Sequence, residues 1–306
     1  MNSSRSGTAS VAVPESKSRT RPIPGDRWTR RFGRAVLRHF RSAEEVAEAI
    51  DLGARLQRST STGRRIFVDD LGSGSDATVV ASLVARFLAY LRHDRVLAVD
   101  ATGRSPSLAD RLGVEEPGDL GGVDGTTFES ACESLGEAGA RLWALRADPE
   151  DTGTYMSGLL PVSRFFGVTL VVGRSDGAFT EAVDGGAHAR IRVVRATRDA
   201  ALRGGRELDA LVRDDRRAQV ERTVVVVFDE VRREDPGFDV VRTAGIIAES
   251  GAGVIILRHD RHLAQGGVVL PRLIGEATHR TVQLVAAEAL DRAVDGAGPS
   301  HGRGGR

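Results

Sequence analysis

From Arg65 onward the chain alternates short, β-branched apolar runs with stretches of helical period, and this alternation restricts the fold more than any other feature. The runs read as strands at 65–69, 95–100, 140–146, 167–172, 190–195, 223–228 and 253–258. Helical spacing recurs at 78–92, 105–112, 197–213, 238–249 and 271–294. Several strands are apolar on both faces, with no in/out alternation, so each must be covered from both sides. The expected fold class is α/β, a doubly wound and mostly parallel sheet.

The ends of the chain differ in character. Residues 1–25 are rich in Ser, Arg, Thr and Pro without periodicity and read as a disordered tail, as do residues 295–306. Residues 26–60 read as a basic helical arm and 61–294 as the α/β domain. In the arm, Asp26 is a candidate cap for a helix in which Trp28, Phe32, Val36 and Phe40 recur every four residues. A second helix is expected from Ser42 to about Gln57, with Glu45 completing a capping box.

Between Lys17 and Arg41 nine basic side chains face Asp26 alone, a balance of +8. The whole chain carries +1, which leaves −7 elsewhere. Trp28, Arg30, Arg31, Phe32, Arg34 and Arg38 are therefore candidates for gripping a protein partner or an anionic membrane. Packing of the aromatic face onto the domain is the plain alternative. Nucleic acid is disfavoured, because the acidic remainder repels a phosphate backbone. No apolar run reaches the ~20 residues that a membrane helix needs, and no secretion signal is read. With Cys132 as its lone cysteine, the chain is expected to be cytoplasmic, with membrane-peripheral attachment through the arm as the alternative.

Residues 66–80 have the outline of a strand, a phosphate-binding loop and a helix start, Ile66-Phe67-Val68-Asp69-Asp70-Leu71-Gly72-Ser73-Gly74-Ser75-Asp76-Ala77-Thr78-Val79-Val80. Such a loop needs an ammonium group on the β- and γ-phosphates. Ala77 stands where that lysine belongs, and the chain's one lysine, Lys17, lies far away in the tail. Arginine's planar fork is a poor substitute inside so tight a nest. Asp76 places a carboxylate where phosphate would lie.

These segments, with Arg95-Val96-Leu97-Ala98-Val99-Asp100-Ala101, Ser105-Pro106-Ser107-Leu108-Ala109 and Asp260-Arg261-His262-Leu263-Ala264-Gln265-Gly266-Gly267, resemble the MinD/ParA-like P-loop ATPases of the deviant Walker A class. The likeness is nearest to the MinD-like proteins of actinobacterial type VII secretion systems and spans about residues 60–290. It implies a P-loop NTPase fold, Mg-ATP chemistry and face-to-face dimers around two nucleotides. The family loop reads K-G-G-x-G-K-[ST]. Laid on Thr78, it puts Gly72 and Ala77 at the two lysines and Asp76 at the third glycine, whose freedom lets amides converge on an anion. The family's D-x-D reads Asp100-Ala101-Thr102, and the strand that should end in a magnesium-supporting aspartate ends in Gly173, with Asp176 three residues on. The asparagine expected near adenine aligns with Asp229.

The resemblance therefore implies a vestigial nucleotide site at Gly72, Gly74, Ala77, Thr78 and Asp100, with no cofactor, no catalytic residue and no metal. The expected function is a pseudo-ATPase scaffold or positioning factor with a protein partner, a secretion-system component among the candidates. It would be monomeric, a homodimer or a heterodimer with an active relative. The alternatives are a weak or partner-activated ATPase that holds Mg-ATP through Thr78, Asp100 and Asp176, and a membrane-surface or partner-binding module acting through the arm. His259-Asp260-Arg261-His262 lacks a further ligand at metal spacing and reads as loop structure, and Cys132 as a plain helix residue.

Overall fold

The computed structural model describes residues 43–58, 63–72, 76–231, 235 and 237–295 of the 306-residue chain. The arm candidates Trp28 to Arg38, the loop glycine Gly74, and both expected tails apart from Asp295 lie outside the described residues. Nine strands form one sheet: β1 (Arg64–Asp69), β2 (Val96–Ala101), β3 (Gly118–Asp119), β4 (Gly136–Gly139), β5 (Leu142–Arg146), β6 (Val168–Gly173), β7 (Ala189–Arg195), β8 (Thr223–Phe228) and β9 (Gly253–Leu257). The principal helices are α1 (Ala43–Leu56), α2 (Ala77–Leu91), α3 (Leu108–Leu112), α4 (Ala178–Gly185), α5 (Arg198–Arg213), α6 (Val240–Ala248) and α7 (Glu276–Asp295).

Strand order is β3-β5-β2-β6-β1-β7-β8-β9, parallel throughout except that β4 pairs antiparallel with β5. The strand expected over 140–146 is β5, and the unexpected β4 before it makes the pair a hairpin. Arg141 turns it with a φ of 65°, and the paired residues of β4 are small or polar, which hid the strand from an apolar-run reading. Helix α4 has no counterpart among the expected helices, being only eight residues long. The final helix begins at Glu276, later than the 271 expected.

Both faces of the central strands are buried. On β1, Ile66 and Val68 face one core while Phe67 faces the other; on β8, Val224 and Val226 oppose Val225 and Val227. Helix α2 buries twelve of its fifteen residues between sheet and α7, so its run of Ala, Val and Leu is a packing requirement. Helix α1 docks here too. Leu52 and Leu56 enter the same core, and Arg55 and Arg58 pair with Glu288, Asp291 and Asp295 of α7. Chain direction reverses around β1, which leads leftward through α2 to β2 while β7 lies to its right. The crevice for ligands in such sheets opens at the carboxyl ends of these strands.

Candidate functional site

That crevice is where β1, β2, β6 and β8 end, with Leu71 and Gly72 following β1 and Asp76 opening α2. After β1, Leu71 and Gly72 both take left-handed backbone, with φ of 48° and 64°. The Gly72 amide donates to Asp70 Oδ1 at 3.0 Å. Asp70 in turn meets Arg104 from the segment after β2 at 3.4 Å.

Asp76 caps α2. Its Oδ1 accepts the Val79 amide at 3.2 Å and the Thr78 hydroxyl, satisfying groups that a helix start leaves open. Its Oδ2 forms an ion pair with Arg111 of α3, a buried residue whose second arm reaches the Gly267 carbonyl at 3.3 Å. The Arg111 Nε has no hydrogen-bond partner among the described residues. Asp76 also donates its own amide to Glu230 Oε1 at 2.6 Å, and Glu230 Oε2 pairs with Arg195 at 2.9 Å. One connected set of charges therefore spans the ends of β7 and β8, the start of α2, and α3. A carboxylate at a helix N-terminus is favoured by the helix dipole, as a phosphate would be.

The remaining motif positions are engaged locally. Ala77 is buried against the core. Asp100 accepts the Thr102 amide at 2.8 Å and hydroxyl at 2.7 Å on one oxygen, and the Leu108 amide at 2.6 Å on the other, so it pins the loop before α3. At the end of β6, a Cβ on Gly173 would lie 2.1 Å from Thr180 Cγ2 and 3.3 Å from the Phe67 ring. Asp176 turns to solvent and pairs with Arg174 at 2.8 and 3.0 Å, a bond that holds its carboxyl below the usual range. The Asp229 amide donates to the Leu257 carbonyl at 2.9 Å, tying the end of β8 to β9.

The other positions raised by the sequence make local contacts. Asp260 accepts the His262 amide at 2.8 Å, the Gly275 amide at 2.7 Å and the Thr278 hydroxyl at 2.8 Å. His262 Nε2 accepts the Leu270 amide at 3.0 Å, and burial holds its ring below the usual histidine range. No group of three His, Cys, Asp or Glu suited to a metal occurs among the described residues. Burial raises the Cys132 thiol, which disfavours the reactive thiolate.

Beneath the loop, Asp69 is fully buried and pairs with Arg192 of β7, which also meets Asp184 at 3.1 Å. Burial outweighs that pairing and pushes the Asp69 carboxyl up to about 6. Sequence reasoning flagged Asp76 but not Arg111, Glu230 or Arg195. The only available signal was the added negative charge at 76, which required a cation from somewhere in the fold.

No protein-family profile matches the chain. Solved structures do. MinD from Aquifex aeolicus, in the MinC:MinD cell division complex, superposes with a TM-score of 0.56 at 17% identity, covering 78% of this chain and 98% of that one. MinD from Pyrococcus furiosus gives 0.56 at 15%, covering 75% and 99%. A ParA family ATPase from Chlorobium tepidum gives 0.53 at 16%, covering 76% and 97%. The chain has the MinD/ParA P-loop fold. Among curated sequences, the chain matches the ESX-1 secretion-associated protein EspI of Mycobacterium tuberculosis, 23% identical over 274 residues. That match takes in 79% of this chain but only 38% of EspI, so this chain spans well under half of the relative's length. No helix among the described residues is long and apolar enough to cross a membrane.

Proposed function

We propose that this MinD/ParA-fold protein is a nucleotide-independent scaffold or positioning factor that works by docking a protein partner, in a secretion-linked process. The observation that carries the proposal is Asp76: its carboxylate sits at the start of α2, on the Thr78 hydroxyl and against Arg111. A magnesium triphosphate is a poor fit to these residues. Asp76 and Glu230 add negative charge where phosphate would need cations, and Ala77 supplies none. Gly173 leaves no room for the carboxylate that would support a metal. The link to secretion rests on the partial likeness to EspI, and the docking role on a fold whose relatives include MinD in complex with MinC.

Titration calorimetry of Mg-ATP and Mg-ADP into the purified chain tests this, with cell concentrations able to register a Kd of ~100 μM, about 5.5 kcal/mol of binding. The expected result is no heat and no thermal stabilisation by either nucleotide. Binding at that level would replace the scaffold with a nucleotide-driven switch.

One observation favours a second reading. The Asp76 side chain keeps 31% of its surface exposed, so a cation from a partner can draw it away from Thr78. In that case ATP turnover appears only with the partner present, and Thr78→Ala abolishes it.

A further inference from the structure

Away from the loop, α5 and α6 lie apart on the face of the sheet opposite α2 and α7, and the trough between them encloses about 740 Å³. Its floor is apolar and small, with Ala201, Gly205 and Leu208 from α5 and Ile247 from α6. Leu202 and Ile246 stand at its edges 53% and 57% exposed, more than isolated apolar residues need explain when both border one concavity. We infer that this trough is a docking groove for an amphipathic helix of a partner protein, one that carries carboxylates along both sides of its apolar stripe.

Charge decides the occupant. Four arginines border the trough, Arg198, Arg206, Arg217 and Arg242, and none has an ion-pair partner among the described residues. On the opposite face, by contrast, Arg55, Arg58 and Arg292 are all paired. Of the three acidic residues lining the trough, Asp239 is committed to the start of α6, accepting the Val241 and Arg242 amides at 3.1 and 3.0 Å. With Asp209 and Glu249, the lining holds three carboxylates against four arginines, a net charge of +1 around an apolar floor. The chain's own basic arm is repelled from such a rim, since residues 26–41 hold six arginines against Asp26. A flat bilayer does not enter a concave trough, whereas a rod with an i, i+3, i+4, i+7 stripe does. The groove is separate from the loop, so this inference stands whether or not nucleotide binds.

The probe is a fluorescein-labelled 18-residue helical peptide with a Leu/Ile stripe flanked by glutamates, compared with the same peptide flanked by lysines. Binding to the full chain is followed by anisotropy at 50 and 500 mM NaCl. The glutamate peptide is expected to bind in the tens of micromolar, at least ten-fold tighter than the lysine peptide, and to weaken with salt. Ile246→Glu, at an exposed position, removes binding without moving the melting temperature; Arg206→Glu with Arg242→Glu inverts the peptide preference. Equal binding of both peptides, binding that survives Ile246→Glu, or none up to 1 mM overturns the inference. So does sedimentation with phosphatidylglycerol vesicles that Ile246→Glu abolishes, which would make the face a lipid surface instead.

Discussion

Replacing Asp76 by alanine removes two things at once. The cap on α2 is worth about 1 kcal/mol. Arg111, which is buried, also loses its only carboxylate partner among the described residues. Stranding a buried charge costs about 3–5 kcal/mol, but solvent reaches 31% of the Asp76 side chain, so roughly 2–3 kcal/mol is appropriate here. The total, about 3–4 kcal/mol, corresponds to a fall in Tm of roughly 6–16 °C for a domain of this size. Asp76→Asn keeps the capping oxygen and loses only the charge, so its fall is smaller. If the carboxylate stands in for an anion, Arg111 and the freed α2 amides of the alanine variant take up inorganic phosphate. With a Kd near 1 mM, 10 mM phosphate returns about 1.4 kcal/mol, or roughly 3–6 °C, while the wild type does not respond. Scanning fluorimetry in a buffer free of other multivalent anions, with sodium chloride at matched ionic strength as control, reads all three quantities. A variant within 2 °C of wild type, or equal phosphate stabilisation of both, would refute the reasoning.

Other consequences are as direct. Gly173→Ala drives a methyl to 2.1 Å from Thr180 Cγ2 and is expected to destabilise by about 1–3 kcal/mol; adding Thr180→Ser, which deletes that methyl, recovers most of it in urea titrations. Asp69, raised from 3.8 to about 6 in the fold, favours folding while protonated. Its contribution is therefore largest below pH 4, is lost as pH rises towards 6, and is flat above. The loss has an upper bound of about 3 kcal/mol. Asp69→Asn removes this component, and denaturation at pH 4, 5, 6 and 7 would show it; parallel pH profiles for the two proteins contradict it. Attachment through the basic arm is checked by sedimentation with anionic liposomes, where deletion of residues 1–41 is expected to abolish binding; equal binding by both proteins excludes that role.

The Asp76 site shows where local reading stops. That Asp76, Ala77 and Gly173 occupy these strand and helix ends was legible in the chain. The two-sided burial of Val224 to Val227 followed from an unbroken apolar run, and the helix expected over 78–92, found at Ala77–Leu91, from its apolar spacing. The β4–β5 hairpin escaped that reading, since its first strand is built of Gly, Glu and Ala and is held by pairing with a neighbour.

What the sequence determined by itself was the layered α/β architecture and the absence of a lysine from residues 66–80, because both are matters of residue type within a few positions. Tertiary structure alone decided that Asp76 meets Arg111, 35 residues away, that Asp100 spends both oxygens on its own loop, and that Thr180 closes the space beside Gly173. Ion pairs and excluded volume depend on distances between segments, and those exist only once the crossovers have brought the strand ends together.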